Sequence, residues 1–363
     1  MENKHYEKKQ EKISNLIENI YNFKEIWNDK CSKYGINDQP HILPPVDRIL
    51  VLGDVHGDWK MMISTLKIGK VINDNNEWIG DKTIVVQVGD QIDRCRYNGI
   101  PCKYKEATPN DESNDYKILE FFTKLHTEAQ AVGGAVYSLL GNHEIMNVEG
   151  NIRYVSYKGF EEFESLQKIK QYKKEDGTEF IDGEDIRKWV FKPGNPLSEF
   201  LACTRQVALI IGSNLFVHAG IIPDIAKKYN IKNINTLMNL YLLNININTE
   251  FLDESKQNIY NKFLKTYVSP LWTRAFGNLG NNNDRCNQLI DPIKEIYKVN
   301  KIFVGHTPFL TKGIISACND DLWLTDYGLS SAFNKYDKDG RSKSRSAHIL
   351  EILNDGEQIN ILF

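Results

Sequence analysis

Six side chains able to bind a cation follow short apolar runs, most of them beside a glycine: Asp54, His56, Asp90, Asn142, His218 and His306. Arg48 to Leu52 runs into Gly53-Asp54-Val55-His56-Gly57-Asp58, and Thr83 to Val88 into Gly89-Asp90-Gln91-Ile92-Asp93-Arg94. Ala135 to Leu140 runs into Gly141-Asn142-His143-Glu144, Leu215 to Val217 into His218-Ala219-Gly220, and Ile302 to Val304 into Gly305-His306-Thr307-Pro308. Each reads as a buried strand that delivers functional groups to its C-terminal edge. A lone histidine at such a place is ordinary. Four of the eight histidines in this pattern (His56, His143, His218, His306) point to one shared rim.

Imidazoles, an amide and carboxylates form a hard to borderline ligand set that suits manganese, iron or zinc. A carboxylate shared between two such ions gives a clamp for displacement at phosphorus, and Asp90 is the natural bridge. The same pair acidifies coordinated water, so hydroxide is available near neutral pH without a protein nucleophile. A phosphate also calls for a fixed cation. Arg94 stands four residues after Asp90, and Arg274 in Pro270-Leu271-Trp272-Thr273-Arg274 is a second candidate. His143 could protonate a leaving oxygen if Asp93 keeps it as imidazolium; the alternative is that His143 is itself a ligand.

The elements that must hold these groups are legible in part. Residues 1–45 read as an amphipathic helical arm that ends before Pro40 and Pro44-Pro45, with the catalytic unit over 46–363. Helices are predicted over Trp59 to Ile68 and Tyr116 to Ala131, and hairpins over Gln206 to Val217 and His348 to Leu362. Stretches near 97–115, 159–200 and 224–267 read as insertions that cap the rim.

With 363 residues and a formal charge of −3, the chain has room for a sizeable core and lacks the basic footprint of a nucleic-acid binder. No apolar run approaches the length of a membrane span, and the polar start resembles no signal segment, so a soluble, cytoplasmic protein is expected. Six scattered cysteines without a CxxC pair indicate neither a zinc ribbon nor a disulfide framework. Cys95 and Cys102 flank one short loop; free thiols are expected there.

In this order, GDxHG, GDxxDR, GNHE, HxG and GH resemble the phosphoprotein phosphatases of the calcineurin-like metallophosphoesterase superfamily. Gly141-Asn142-His143-Glu144-Ile145-Met146-Asn147, with Asp326-Tyr327-Gly328-Leu329-Ser330, looks most like the Shewanella-like protein phosphatases. The similarity covers about 46–332. It implies an α/β fold, a four-layered α/β/β/α sandwich of two mixed sheets with helical insertions. It also implies Asp54 and His56 on one metal, Asp90 as bridge, and Asn142, His218 and His306 on the other. Arg94, Arg274 and Asn142 would meet the phosphate, with His143 as general acid paired to Asp93. The implied reaction is hydrolysis of phosphoserine, phosphothreonine or phosphotyrosine in a phosphoprotein or phosphopeptide; a dinucleoside polyphosphate hydrolase is the alternative. No regulatory subunit is indicated. Cys95 stands where the family motif has glycine, which alters the wall beside Arg94.

Overall fold

The computed structural model describes residues 2–36, 39–166, 172–246, 261–280, 283–336 and 346–363. The parts of the expected caps at 167–171 and 247–260 lie outside them. Among the described residues, the strands form two six-stranded sheets.

The first sheet runs β1 (Ile42–Leu43), β6 (Ala208–Ile211), β7 (Asn214–Val217), β8 (Lys301–Val304), β10 (Leu322–Leu324) and β9 (Ile315–Ala317). The second runs β12 (Gln358–Leu362), β11 (Ile349–Leu353), β2 (Arg48–Leu52), β3 (Ile84–Gln87), β4 (Ala135–Leu139) and β5 (Arg205–Gln206). Both sheets are mixed. Strands β2, β3, β4 and β5 are parallel, as are β7, β8 and β10, so their C-terminal ends share an edge within each sheet.

Alternation along the strands builds the layers. In the first sheet Leu209, Ile211, Phe216 and Phe303 share a core with Val51 and Val86 of the second, while Ala208, Ile210, Leu215, Val217, Ile302 and Val304 face helices. Those helices include α8 (Pro196–Thr204), α10 (Ile231–Leu242) and α11 (Asn283–Tyr297). On the far face of the second sheet lie α3 (Trp59–Ile68), through Met62 and Leu66, and α4 (Asp115–Gln130), through Ile118, Phe122 and Leu125. The result is the four-layered α/β/β/α sandwich.

The N-terminal segment forms α1 (Glu2–Tyr21) and α2 (Phe23–Cys31), broken at Asn22, whose φ is 43°. Ile13 and Ile17 enter the helical side of the core, and Gln10 Nε2 donates to Ala226 O at 2.6 Å. Both hairpins form: β6 and β7 are antiparallel, as are β11 and β12.

The cysteines correct the expectation of free thiols. Three disulfides join Cys31 to Cys203, Cys95 to Cys102 and Cys286 to Cys318, at sequence separations of 172, 7 and 32. Spacing along the chain carried no signal for the longest one, because its partners meet only when α2 packs on α8.

Candidate active site

Three parallel strands of one sheet and two of the other end at the same place. Asp54 and His56 follow β2, Asp90 follows β3, Asn142 follows β4, His218 follows β7 and His306 follows β8; all six are buried. Four residues around this edge have left-handed backbone: His56 (φ 46°), Asp90 (φ 53°), Asp93 (φ 73°) and His306 (φ 68°). Such conformations cost on the order of 1–3 kcal/mol each and persist where surrounding contacts impose them.

Glu144 imposes one of them. It is the third residue of α5 (Asn142–Val148), and its carboxylate accepts from the amides of Gly141 (2.7 Å), Asp90 (3.0 Å) and Gln91 (2.8 Å), tying β3 and β4 ends together. Burial and then the Asp90 charge push Glu144 up to about 7. Gly141 must be glycine, since a Cβ there would collide with Asp90 Oδ1.

The tautomers of the histidines follow from their outer contacts. His218 Nδ1 lies 2.9 Å from Val88 O, His306 Nε2 3.1 Å from Trp272 O, and His56 Nδ1 3.3 Å from Ile92 O. With those nitrogens donating to carbonyls, the opposite nitrogens carry lone pairs. His218 Nε2 and His306 Nδ1 point at the same Asn142 Oδ1, at 3.0 and 2.9 Å, and His218 Nε2 is 3.4 Å from Asp90 Oδ1. Four acceptors facing one point repel one another unless a cation lies among them. His56 Nε2 completes a second group, 3.8 Å from both Asp54 Oδ2 and Asp90 Oδ2. Asp90 belongs to both groups; His143 also comes within ligand distance of His56 and Asp90, and the donor set fits two ions of the manganese, iron or zinc type.

Electrostatics agree with a cation site. Burial, with Asp326 and Asp90 nearby, raises the Asp54 carboxyl well above its ordinary range. Burial would raise Asp90 too, but the imidazoles of His218 and His143 outweigh it and hold the group well below that range. Burial lowers His218 in turn, but Asp90 outweighs it and raises the imidazole, so without a metal ion the His218 proton supplies the positive charge that Asp90 calls for. His306 is lowered to about 3 by burial and by His218, which keeps it neutral and able to ligate.

A model of the calcineurin-like phosphoesterases matches residues 47–309, which hold all six of these residues. The chain belongs to the calcineurin-like phosphoesterase family. Like other calcineurin-like phosphoesterases of the phosphatase type, it is a metal-dependent phosphatase. An uncharacterized protein of Acanthamoeba polyphaga mimivirus is 36% identical over 252 residues, covering 65% of this chain and 95% of its own. Shewanella-like protein phosphatase 2 of Arabidopsis thaliana is 28% identical over 317 residues, covering 78% and 72%. A cold-active protein tyrosine phosphatase of known structure shares the fold, with a TM-score of 0.62 and 21% identity over 91% of this chain and 82% of that one.

In this phosphoesterase, His143 Nδ1 lies 2.8 Å from Asp93 Oδ2 at the same edge, and His143 Nε2 faces inward, 3.9 Å from Asp90 Oδ2. Asp93 Oδ1 accepts from Asn147 Nδ2 at 2.9 Å and from Arg187 Nη2 at 3.2 Å. Arg187 of α7 (Gly183–Phe191) is fully buried and also pairs with Asp115 at 2.8 Å. Sequence reading placed that region in a cap and missed it. Asp326 was missed as well: it follows β10 at the same edge, and burial first of all raises it to about 6.

The two expected arginines part company. Arg274 is exposed at the rim, with Nη1 at 3.5 Å from His306 O and 3.4 Å from Thr307 Oγ1. Arg94 is not at the rim. Its side chain is 1% exposed; Nη1 contacts Asp58 Oδ2 at 3.0 Å and donates to Gly57 O, while Nη2 donates to Ser331 Oγ and Asn110 O. Arg96, which sequence reading passed over, packs against the rings of Phe333 and Tyr154.

Proposed function

We propose that this phosphatase removes phosphate from phosphorylated side chains of proteins, on serine, threonine or tyrosine, using two metal ions held by Asp54, His56, Asp90, Asn142, His218 and His306. The observation that carries the reading is the convergence of lone-pair nitrogens, the Asn142 carbonyl and the Asp90 carboxylate, with His143 facing the same space. Manganese, iron and zinc fit the donors. When bound, such ions neutralise phosphoryl charge and acidify coordinated water.

The chain's own groups supply the rest. Asp93, fixed by Asn147 and Arg187, holds His143 in one orientation, so that Nε2 faces the centre from which it can give a proton to the departing oxygen. Asn142 offers an amide beside the phosphate position. Arg274 brings an always-charged guanidinium to the open side.

A phosphoprotein substrate is supported by the names of the Arabidopsis relative and of the structural neighbour. Aromatic residues that could have formed a base slot are otherwise engaged. Tyr154 packs on His143, Trp272 lies edge-on to His306, Tyr327 is buried against His348, and Tyr104 is exposed beside Lys103. As to compartment, no helix among the described residues is long and apolar enough to cross a membrane. Three cystines favour an oxidising compartment over the cytosol expected from the sequence.

The test is a metal-reconstituted assay of phosphate release from phosphoserine, phosphothreonine and phosphotyrosine peptides, run beside dinucleoside polyphosphates. Turnover of at least one peptide is expected. Turnover of the dinucleotides alone would overturn the reading.

A further inference from the structure

We propose that a groove beside His143, lined by the 97–103 loop and by residues 150–153, receives the substrate chain next to its phosphorylated residue, and that Arg153 and Lys103 select acidic side chains there. The inference rests on the phosphoprotein reading and adds the kind of sequence such a substrate carries.

The groove begins where α5 ends. That helix carries Asn142, His143 and Asn147, and the chain leaving it is turned back at once: Gly150 N donates to Asn147 O at 2.9 Å and Asn151 N to Met146 O at 2.8 Å. Gly150 permits the turn through a φ of 75°. Ile152, Arg153 and Tyr154 follow, and the ring of Tyr154 lies 5.0 Å from that of His143.

The other wall is the loop after Arg94. Cys95 N donates to Tyr154 O at 3.0 Å, which joins the two walls, and the Cys95–Cys102 bond closes the loop that follows. Within it Tyr104 N donates to Pro101 O at 3.0 Å, and Asn98 Nδ2 donates to Ala107 O at 3.1 Å. The first part of the long 97–115 stretch is therefore held in shape. Between the walls lies a cavity of about 450 Å³, whose lining includes Tyr97, Pro101, Lys103, Ile152, Arg153 and Phe160. Tyr97, Ile100 and Tyr104, within eight positions of one another, are 62%, 39% and 50% exposed. Exposed apolar side chains gathered beside a cavity mark a surface that another chain covers.

The charge of the groove decides which chain. Arg153 and Lys103 are both exposed; the Arg153 guanidinium carbon lies 4.9 Å from the ring centre of Tyr154, and Lys103 Nζ lies 5.8 Å from that of Tyr104. Among the described residues, neither cation has a carboxylate within ion-pair distance. Glu184 also lines the groove, and Lys188 Nζ at 2.7 Å offsets its charge. An aromatic face orients a guanidinium without neutralising it and leaves the N–H edge for a carboxylate. Because one tyrosine ring touches both Arg153 and His143, the cation is no more than about 10 Å from the imidazole, the span of roughly three extended residues. A phosphorylated side chain delivered to His143 thus leaves its chain neighbours beside Arg153, where aspartate or glutamate is attracted and lysine or arginine repelled.

The experiment uses the metal-loaded full chain and phosphopeptides that differ only in the residues flanking the phosphorylated one, which are aspartate, alanine or lysine. Each set is made with phosphoserine, phosphothreonine and phosphotyrosine, and an aryl phosphate serves as the substrate without flanking residues. KM and kcat are measured for wild type, Arg153→Ala, Arg153→Glu, Lys103→Glu and the double charge reversal. The wild type should favour the aspartate over the lysine peptide by about 10-fold, through KM, and added salt should shrink that ratio. Arg153→Ala should reduce it about 2- to 5-fold, as for an exposed ion pair; each reversal should reduce it further, and the double reversal should invert it. In every variant the aspartate peptide should lose more than the aryl phosphate. A wild type that favoured lysine or ignored the flanking charge, or a double reversal that still favoured aspartate, would overturn the groove and leave the phosphoprotein reading standing. Hydrolysis of the aryl phosphate with no peptide turned over would remove the phosphoprotein reading, and the groove with it.

Discussion

Asp90 is the residue on which both ligand groups depend, and its left-handed backbone (φ 53°) is one that asparagine also tolerates. Asp90→Asn should therefore keep its circular dichroism spectrum and melting transition while losing hydrolysis of an aryl phosphate; persistent turnover would refute the two-ion centre. His143 permits a finer test. If its Nε2 protonates the leaving oxygen, His143→Asn should slow alkyl phosphates by about 10² to 10⁴ and nitrophenyl phosphate by much less, because a good leaving group needs no proton. Equal losses on the two substrates would instead assign His143 to the metal. At this scale the sequence was informative about glycine, aspartate and histidine at strand ends, where the backbone dictates the direction of a short side chain. It was uninformative about Arg94 and Arg96. An arginine reaches several ångströms through four rotatable bonds, so its partner is settled by what packs around it: Asp58 and Ser331 for one, Tyr154 and Phe333 for the other.

Between elements, buried carboxylates do the joining. Glu162 of α6 (Tyr157–Ser165) accepts from the amides of Tyr116 (3.1 Å) and Lys117 (3.2 Å) at the start of α4. Burial first, then the charge of Asp115, pushes Glu162 up from 4.5 to about 7. An acid whose folded-state pKa lies above its unfolded value holds more protons when folded, so its contribution is full below about 4.5 and is lost as pH rises through about 7. Glu162→Gln cannot titrate. The melting temperature of the wild type relative to this variant should accordingly fall between pH 5 and 8, and a difference that stayed flat would show that Glu162 ionises normally. The helices and hairpins themselves were legible, since apolar periodicity and turn residues such as Asn354-Asp355-Gly356 act locally. The joins were not: Arg187, far along the chain in α7, reaches Asp93 and Asp115 with no local signature.

Over the whole molecule, the disulfide between Cys31 and Cys203 fastens the N-terminal helices to α8 across 172 residues. Closing a loop of 100 residues is worth about 4.7 kcal/mol in the chain-entropy model. Replacing both cysteines by serine should lower the melting temperature by several degrees without altering KM, as followed by calorimetry and by the aryl phosphate assay; no shift would mean that the helices stay docked without the bond. Metal loading should act in the opposite direction. Chelation is expected to lower the transition temperature, and manganese, iron or zinc to restore it, because ions that bind only the folded chain stabilise it by mass action. The sequence by itself determined the strands and the six residues at the shared edge, through strand periodicity and what lies one to four positions after a strand, while the family and the sandwich came from the resemblance those motifs carry. Only the tertiary structure decided the cystine pairing, the burial of Arg94 and the support behind His143, because these depend on which distant surfaces meet once the two sheets have stacked.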